Sequence, residues 1–164
     1  MFAAHHAALH RYVVRFSGDE DLADDVVQET FIRLAERPPQ DATGGGIRAW
    51  LFTVATNLAR DALKIRGRRR RLLADQEGRL PAADPAPDPA EALDREETRG
   101  RVRRALARLS ENERMLLLMR EEGFKHREIA EALGTTTASV GTLIARALVK
   151  LAGHLDLNRQ SEES

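Results

Sequence analysis

The stretch HREIAEALGTTTASVGTLIAR, residues 126–146, decides the reading of this chain. Ile129, Leu133, Val140 and Leu143 fall where two short helices bury side chains against each other, and Ala130 is small where their backbones approach. Gly134 stands where the turn between them demands a positive φ, and Thr136 can cap the helix that follows. The spacing predicts a helix-turn-helix whose second helix, about residues 137–151, enters the major groove of DNA with its N-terminal residues toward the bases. An ordinary helical hairpin in a bundle core is the competing reading. The excess of basic residues over 99–155, 11 against 6 acidic, favours DNA.

The exposed positions expected on that second helix are Thr137, Ala138, Gly141, Thr142 and Ala145, with only Arg146 and Lys150 charged. Threonine hydroxyls and methyls can read base edges, but none offers the two-pronged pairing of arginine with guanine. Base readout is therefore expected to be modest. The DNA-facing set is Lys125, His126, Arg127, Thr136, Thr137, Ala138, Thr142, Arg146 and Lys150, and phosphate contacts from its cations supply much of the affinity.

Outward from this unit the chain reads as helices throughout. Phe2, Leu9, Tyr12, Val13 and Phe16 keep helical spacing up to Gly18; Leu22, Val26, Val27, Phe31 and Leu34 continue it after the acidic start Asp19, Glu20 and Asp21, and Pro38 and Pro39 stop it. Residues 38–46, ending in three glycines, read as a mobile loop. A third helix from about Ile47 carries the apolar stripe Ile47, Trp50, Leu51, Val54, Leu58, Ala62 and Ile65. Asp88 and Pro89 signal a helix start leading to about Leu109. Ser110-x-x-Glu113 is a capping box, and Gly123 is positioned to end its helix. The expected fold is all-α, with almost no strand-like alternation.

Composition sets outer bounds. The chain has 164 residues, 26 Lys+Arg against 26 Asp+Glu, and no cysteine, so disulfides, zinc-thiolate sites, thiol nucleophiles and redox pairs are excluded. No uncharged run approaches the roughly 20 apolar residues of a membrane span, and the first residues lack a signal-peptide pattern, so a soluble cytoplasmic protein without membrane insertion is expected. The balanced total hides alternation: residues 64–74 carry six basic and no acidic side chains, while 75–98 carry two basic and eight acidic. The first is a polyanion-binding signature. The second, with Pro81, Pro85, Pro87 and Pro89 among alanine and aspartate, is a flexible acidic Pro/Ala-rich linker. Two small helical domains, 1–74 and 89–155, are thus expected on either side of a linker at 75–88, tethered without rigid docking, with a tail at 156–164.

On the third helix Asn57, Arg60, Lys64 and Arg68 recur at three and four residues, opposite the apolar stripe. Arg66, Arg68, Arg69, Arg70 and Arg71 extend the charge. Asn57 can both donate to and accept from a base edge, or bond between helices. Trp50 can stack on an unpaired base, though its place in the stripe favours a core role.

Together these residues resemble the extracytoplasmic-function (ECF) group of the sigma-70 family of bacterial RNA polymerase sigma factors. The resemblance rests on DLADDVVQETF at 21–31, WLFTVATN at 50–57 with Asp61 and the arginine cluster behind it, and residues 109–151. It covers nearly the whole chain except linker and tail. It implies an N-terminal domain that binds the β′ clamp of core RNA polymerase and captures the melted non-template strand of the promoter −10 element. A C-terminal domain would read the −35 element beside the β flap. By the same resemblance Asp24, Asp25, Gln28 and Glu29 form the clamp-binding surface. The 38–46 loop, Asn57 and Arg60 hold a flipped −10 base, and Lys64, Arg68, Arg69, Arg70 and Arg71 grip the strand. Promoter DNA and an anti-sigma factor are implied partners; no cofactor, metal or catalysis is. The linker's charge is suited to mimic nucleic acid along the RNA exit path.

The sequence departs from the family pattern at three places. Lys125 replaces a capping Ser, Gly141 and Leu143 stand where basic residues are common, and Leu109-Ser110 replaces Leu-Pro. The main rival is a conventional helix-turn-helix repressor or activator that works without being a polymerase subunit. An enzyme with a carboxylate metal site at Asp24, Asp25 and Glu29, or a metal site on His6 and His10 beside His5, is a weaker rival.

Overall fold

The computed structural model describes residues 2–40, 45–77 and 90–163. Seven helices account for almost all of them: α1 (Phe2–Ser17), α2 (Glu20–Glu36), α3 (Gly45–Glu77), α4 (Ala90–Ala107), α5 (Glu111–Glu121), α6 (His126–Leu133) and α7 (Thr137–Glu162). Among the described residues there is no strand. The fold is all-α.

α1, α2 and α3 pack on one another. Leu9, Tyr12, Val13 and Phe16 of α1 meet Leu22, Ala23, Val26 and Val27 of α2 and Leu51, Phe52, Ala55 and Ala59 of α3, all buried. Each large side chain so enclosed contributes about 1.5–3 kcal/mol. Asp19 is the N-cap of α2: its Oδ1 accepts from Leu22 N–H at 3.0 Å, while its other oxygen accepts from Arg66 of α3. The cap therefore also ties α2 to α3. Trp50 is half-buried against the core, the packing role its place in the stripe favours.

The second group is built around α5, whose Met115, Leu116, Leu117, Leu118 and Met119 are all buried. The capping box at its start is complete, Glu113 N–H donating to Ser110 Oγ at 3.2 Å and Ser110 N–H to Glu113 Oε2 at 2.9 Å. α4, α5 and α6 each pack on α7. Gly134 closes α6 with φ +68, and the chain bends by 88° into α7. An L-residue pays a steric penalty at such a φ, which is why the turn takes glycine.

Several expectations are corrected. α3 runs 33 residues, about 50 Å at 1.5 Å per residue, through the arginine cluster and past the expected boundary at 74 into the start of the expected linker. Its Ile65, expected in the buried stripe, is 64% exposed; among the described residues Leu63 is the last apolar side chain of α3 packed against the core. α7 likewise continues past Leu151 to Glu162, so most of the expected tail is helical; Leu151, His154 and Leu155 remain half-buried where α7 lies along α4. The linker residues 78–88 and the loop residues 41–44 lie outside the described residues.

The two groups are also docked rather than loosely tethered. Phe124, just after α5, packs edge-on to Phe52 of α3 with ring centroids 4.8 Å apart, and the Arg48 guanidinium lies 4.1 Å from the Phe124 centroid. One buried cluster spans both groups. Around it Arg11 forks onto Glu122 at 2.9 and 3.0 Å, and Arg15 reaches Glu121 at 2.6 Å. Arg48 donates to the Glu122 carbonyl, and Arg114 donates to the Phe16 carbonyl at 2.7 Å. Burial holds the Arg114 guanidinium below its ordinary pKa.

Candidate nucleic-acid interface

The first candidate surface lies on α3. The helical period places Asn57, Lys64 and Arg68 on its solvent side, and all three are exposed, as are Arg69, Arg70 and Arg71. Arg71 Nε lies back against the Gly67 carbonyl at 3.4 Å. Beyond Arg66, which Asp19 holds, the helix thus presents a row of exposed guanidinium groups. Such a surface suits a phosphate backbone.

Arg60 does not share that freedom. It is half-buried, its Nη2 donates to Asn112 Oδ1, and its Nε lies 3.3 Å from Glu111 Oε2 without a hydrogen bond. Its Nη2 also lies 3.8 Å from the sulfur of Met115. The residue expected to hold a flipped base is therefore engaged by the first turn of α5, a relationship between positions 52 residues apart that no local pattern contains.

The second surface is the exposed face of α7. Ile129, Ala130, Val140, Ile144 and Ala147 are buried where α6 and α7 meet, and Leu133 and Leu143 are half-buried. This leaves Thr137, Ala138, Gly141, Thr142, Ala145 and Arg146 exposed on one side, as the spacing predicts. Lys125, His126 and Arg127 lie at the start of α6, beside this face: a Cβ added at Gly141 would be 3.9 Å from His126 Cε1. Lys125 has no capping oxygen, but its N–H donates to Glu128 Oε2 at 2.7 Å, which restores half of a capping box. Thr136 occupies the N-cap of α7, yet its hydroxyl bonds to Ser139 Oγ at 2.7 Å instead of a backbone N–H, a correction to the expected side-chain cap. Arg127 pairs with Glu131 at 3.4 Å, and Lys150 donates to Glu113 of α5. The Lys150 hydrogen bond, then the Ser110 N–H, hold the Glu113 carboxyl below its ordinary pKa.

The third surface is acidic. Asp24, Asp25 and Gln28 are exposed and Glu29 half-exposed along one side of α2, with Glu29 paired to Arg33 at 2.9 Å. His10 of α1 reaches Asp24 at 2.9 Å and His6 stacks on Phe31 at 5.8 Å, so the two histidines serve different partners. Among the described residues no group of three or more potential ligands is arranged to hold a metal ion, and no single helix is long and apolar enough to cross a membrane. The positions missed by sequence reasoning are Glu111, Asn112 and the Glu113 carboxylate as partners of expected DNA contacts; the capping box flagged Glu113 only as a helix start.

The family model for sigma-70 region 2 matches residues 1–70, and that for sigma-70 region 4 matches residues 99–151. The ECF RNA polymerase sigma factor EcfG of Rhodopseudomonas palustris is 31% identical over 150 residues, covering 90% of this chain and 79% of that protein. The chain belongs to the ECF sigma factors. The SigG member from Mycobacterium tuberculosis is 34% identical over 177 residues, covering 92% of this chain and 47% of its own length, so this ECF chain spans about half of that relative. Among solved structures, the sigma factor RpoE in complex with the anti-sigma factor NepR from Bartonella quintana matches with a TM-score of 0.71 at 25% identity, over 94% of this chain and 93% of that one. CnrH, in complex with the cytosolic domain of CnrY, matches with a TM-score of 0.64 at 25% identity over 94% of this chain and 84% of that one.

Proposed function

We propose that this ECF chain directs bacterial core RNA polymerase to its promoters as a non-catalytic subunit working in the cytoplasm. The observation that carries the reading is the pairing, in one chain, of an exposed cationic stretch on α3 with a helix-turn-helix whose α7 presents an exposed face. Melting duplex costs a few kcal/mol per unstacked base, and a strand held on a cationic helix with a pocket for one extruded base offsets part of it.

In this reading residues 1–74 form the −10 and clamp-binding domain, 75–88 the linker, 89–155 the −35 domain and 156–164 the tail. Asn57, Arg60, Lys64, Arg68, Arg69, Arg70 and Arg71 take the −10 strand. Lys125, His126, Arg127, Thr136, Thr137, Ala138, Thr142, Arg146 and Lys150 face the −35 duplex, and Asp24, Asp25, Gln28 and Glu29 meet the β′ clamp, with the β flap beside the helix-turn-helix. An anti-sigma factor is a further partner, supported by the RpoE–NepR likeness. The test is reconstitution: core polymerase with this chain is incubated on a fragment library of the source genome and transcript 5′ ends are sequenced. A shared two-block motif upstream of the starts is expected. Starts no different from those of core polymerase alone would overturn the reading.

A further inference from the structure

We infer that the first turn of α5 is an internal anion that latches the two DNA-facing surfaces shut, so that nucleic acid and the chain's own acids compete for the same cations. The inference rests on the DNA reading of Arg60 and Lys150 given above. Three consecutive residues carry it: Asn112 Oδ1 accepts from Arg60, Glu111 Oε2 lies 3.3 Å from Arg60 Nε, and Glu113 Oε1 accepts from Lys150. One helical turn therefore presents oxygen acceptors to a cation of the −10 surface and a cation of the −35 surface together. These are the acceptor atoms a phosphate would offer, and a phosphate reaching Arg60 has to displace Asn112 and Glu111.

Two further ion pairs between the groups repeat the polarity, beside the apolar contact of Phe124 with Phe52 and the Arg114 donation to the Phe16 carbonyl. Arg11 and Arg15 of α1 pair with Glu122 and Glu121 at the other end of α5, so α5 supplies acids at both ends to cations of the first three helices. Glu122 holds the Arg11 guanidinium above its ordinary pKa by hydrogen bond and charge. An exposed pair such as Arg15 with Glu121 is individually weak and is screened beyond about 10 Å at 0.1 M salt, whereas the Glu122 side chain is 8% exposed. A set of such pairs makes a contact that a polyanion or a larger binding partner can open. With the groups closed, Arg60 is 25% exposed at its side chain and not available to a base.

The absence of native cysteine makes the test direct. Ala35→Cys and Ala152→Cys, both at exposed positions on different groups, carry spin labels in the full chain, and their separation is read by pulsed electron resonance. The latch is removed by Glu111→Gln and Glu113→Gln together with Asn112→Ala, which takes away the acceptor of Arg60; glutamine at 113 retains the capping box, so α5 keeps its start. Glu36→Gln with Glu96→Gln makes the same charge change at exposed sites elsewhere. The latch variant is expected to lengthen and broaden the distance distribution and to bind a fluorescent single-stranded DNA oligonucleotide about fivefold more tightly than the parent chain, with the control pair well short of both. An unchanged distribution, or equal effects from both variants, overturns the latch and leaves the promoter reading standing. Opening without any gain in oligonucleotide affinity overturns the DNA role of Arg60 and Lys150, and the competition with it.

Discussion

The Tyr12 hydroxyl of α1 and the Thr56 hydroxyl of α3 meet at 2.7 Å inside the core, where Thr56 also donates to the Phe52 carbonyl at 2.6 Å. With its own proton committed there, Thr56 is the acceptor and Tyr12 the donor. Burial pushes the Tyr12 phenol above its ordinary pKa. The pair is therefore asymmetric under mutation. Tyr12→Phe leaves Thr56 with its donor bond and should cost about 1 kcal/mol, whereas Thr56→Val strands a buried phenol and should cost about 1–3 kcal/mol. Urea unfolding of both variants checks the order, and equal losses would contradict the assignment of donor and acceptor.

The two glycines flanking the start of α7 should respond in opposite directions. Gly134 has φ +68, so Gly134→Ala should destabilise the chain by about 1–2 kcal/mol. Gly141 sits inside a helix with open space, its nearest foreign atom 3.9 Å from an added Cβ, so Gly141→Ala should stabilise by about 1 kcal/mol. Thermal unfolding midpoints that shift the same way for both would refute this.

Acid sensitivity follows from Asp19 and Glu113. The Leu22 N–H, and then Arg66, hold the Asp19 carboxyl below its ordinary value, as Lys150 does for Glu113. Because both folded-state values are depressed, their stabilisation is complete above the unfolded carboxylate range, near pH 4, and is lost as pH falls through the folded-state values. Asp19→Asn keeps a capping oxygen but removes the titration. It should flatten the fall of the unfolding midpoint below about pH 4, and an unaltered acid profile would count against these pairs.

The helices were legible wherever burial imposes a period. The α1 and α2 stripes, the Ser110 and Glu113 cap, the Gly134 turn and the exposed face of α7 all follow from spacing, because each depends on neighbours within one or two turns. The continuation of α3 past residue 74 was not, since there the helix rests on intrinsic preference rather than on a buried stripe. Nor was the engagement of Arg60, which depends on Asn112 being carried against it by the packing of Phe124 on Phe52. Sequence nominated the cations expected to meet DNA, and tertiary packing decides which of them are engaged within the chain.

The exposed Arg68, Arg69, Arg70 and Arg71 give a quantitative expectation for the promoter complex. If each neutralises a phosphate, replacing all four by glutamine should lower the slope of log affinity against log salt by roughly 3. Filter binding of the reconstituted holoenzyme at several salt concentrations reads this directly. An unchanged slope would remove the end of α3 from the DNA interface.

The most direct measurement of the whole account compares permanganate reactivity of promoter thymines with the chain alone, with core polymerase alone, and with both. The account predicts strand opening around the −10 element only with both, lost when Asn57→Ala is combined with the four glutamine replacements. Opening by core polymerase alone, or tight sequence-specific duplex binding by the chain without polymerase, would contradict it.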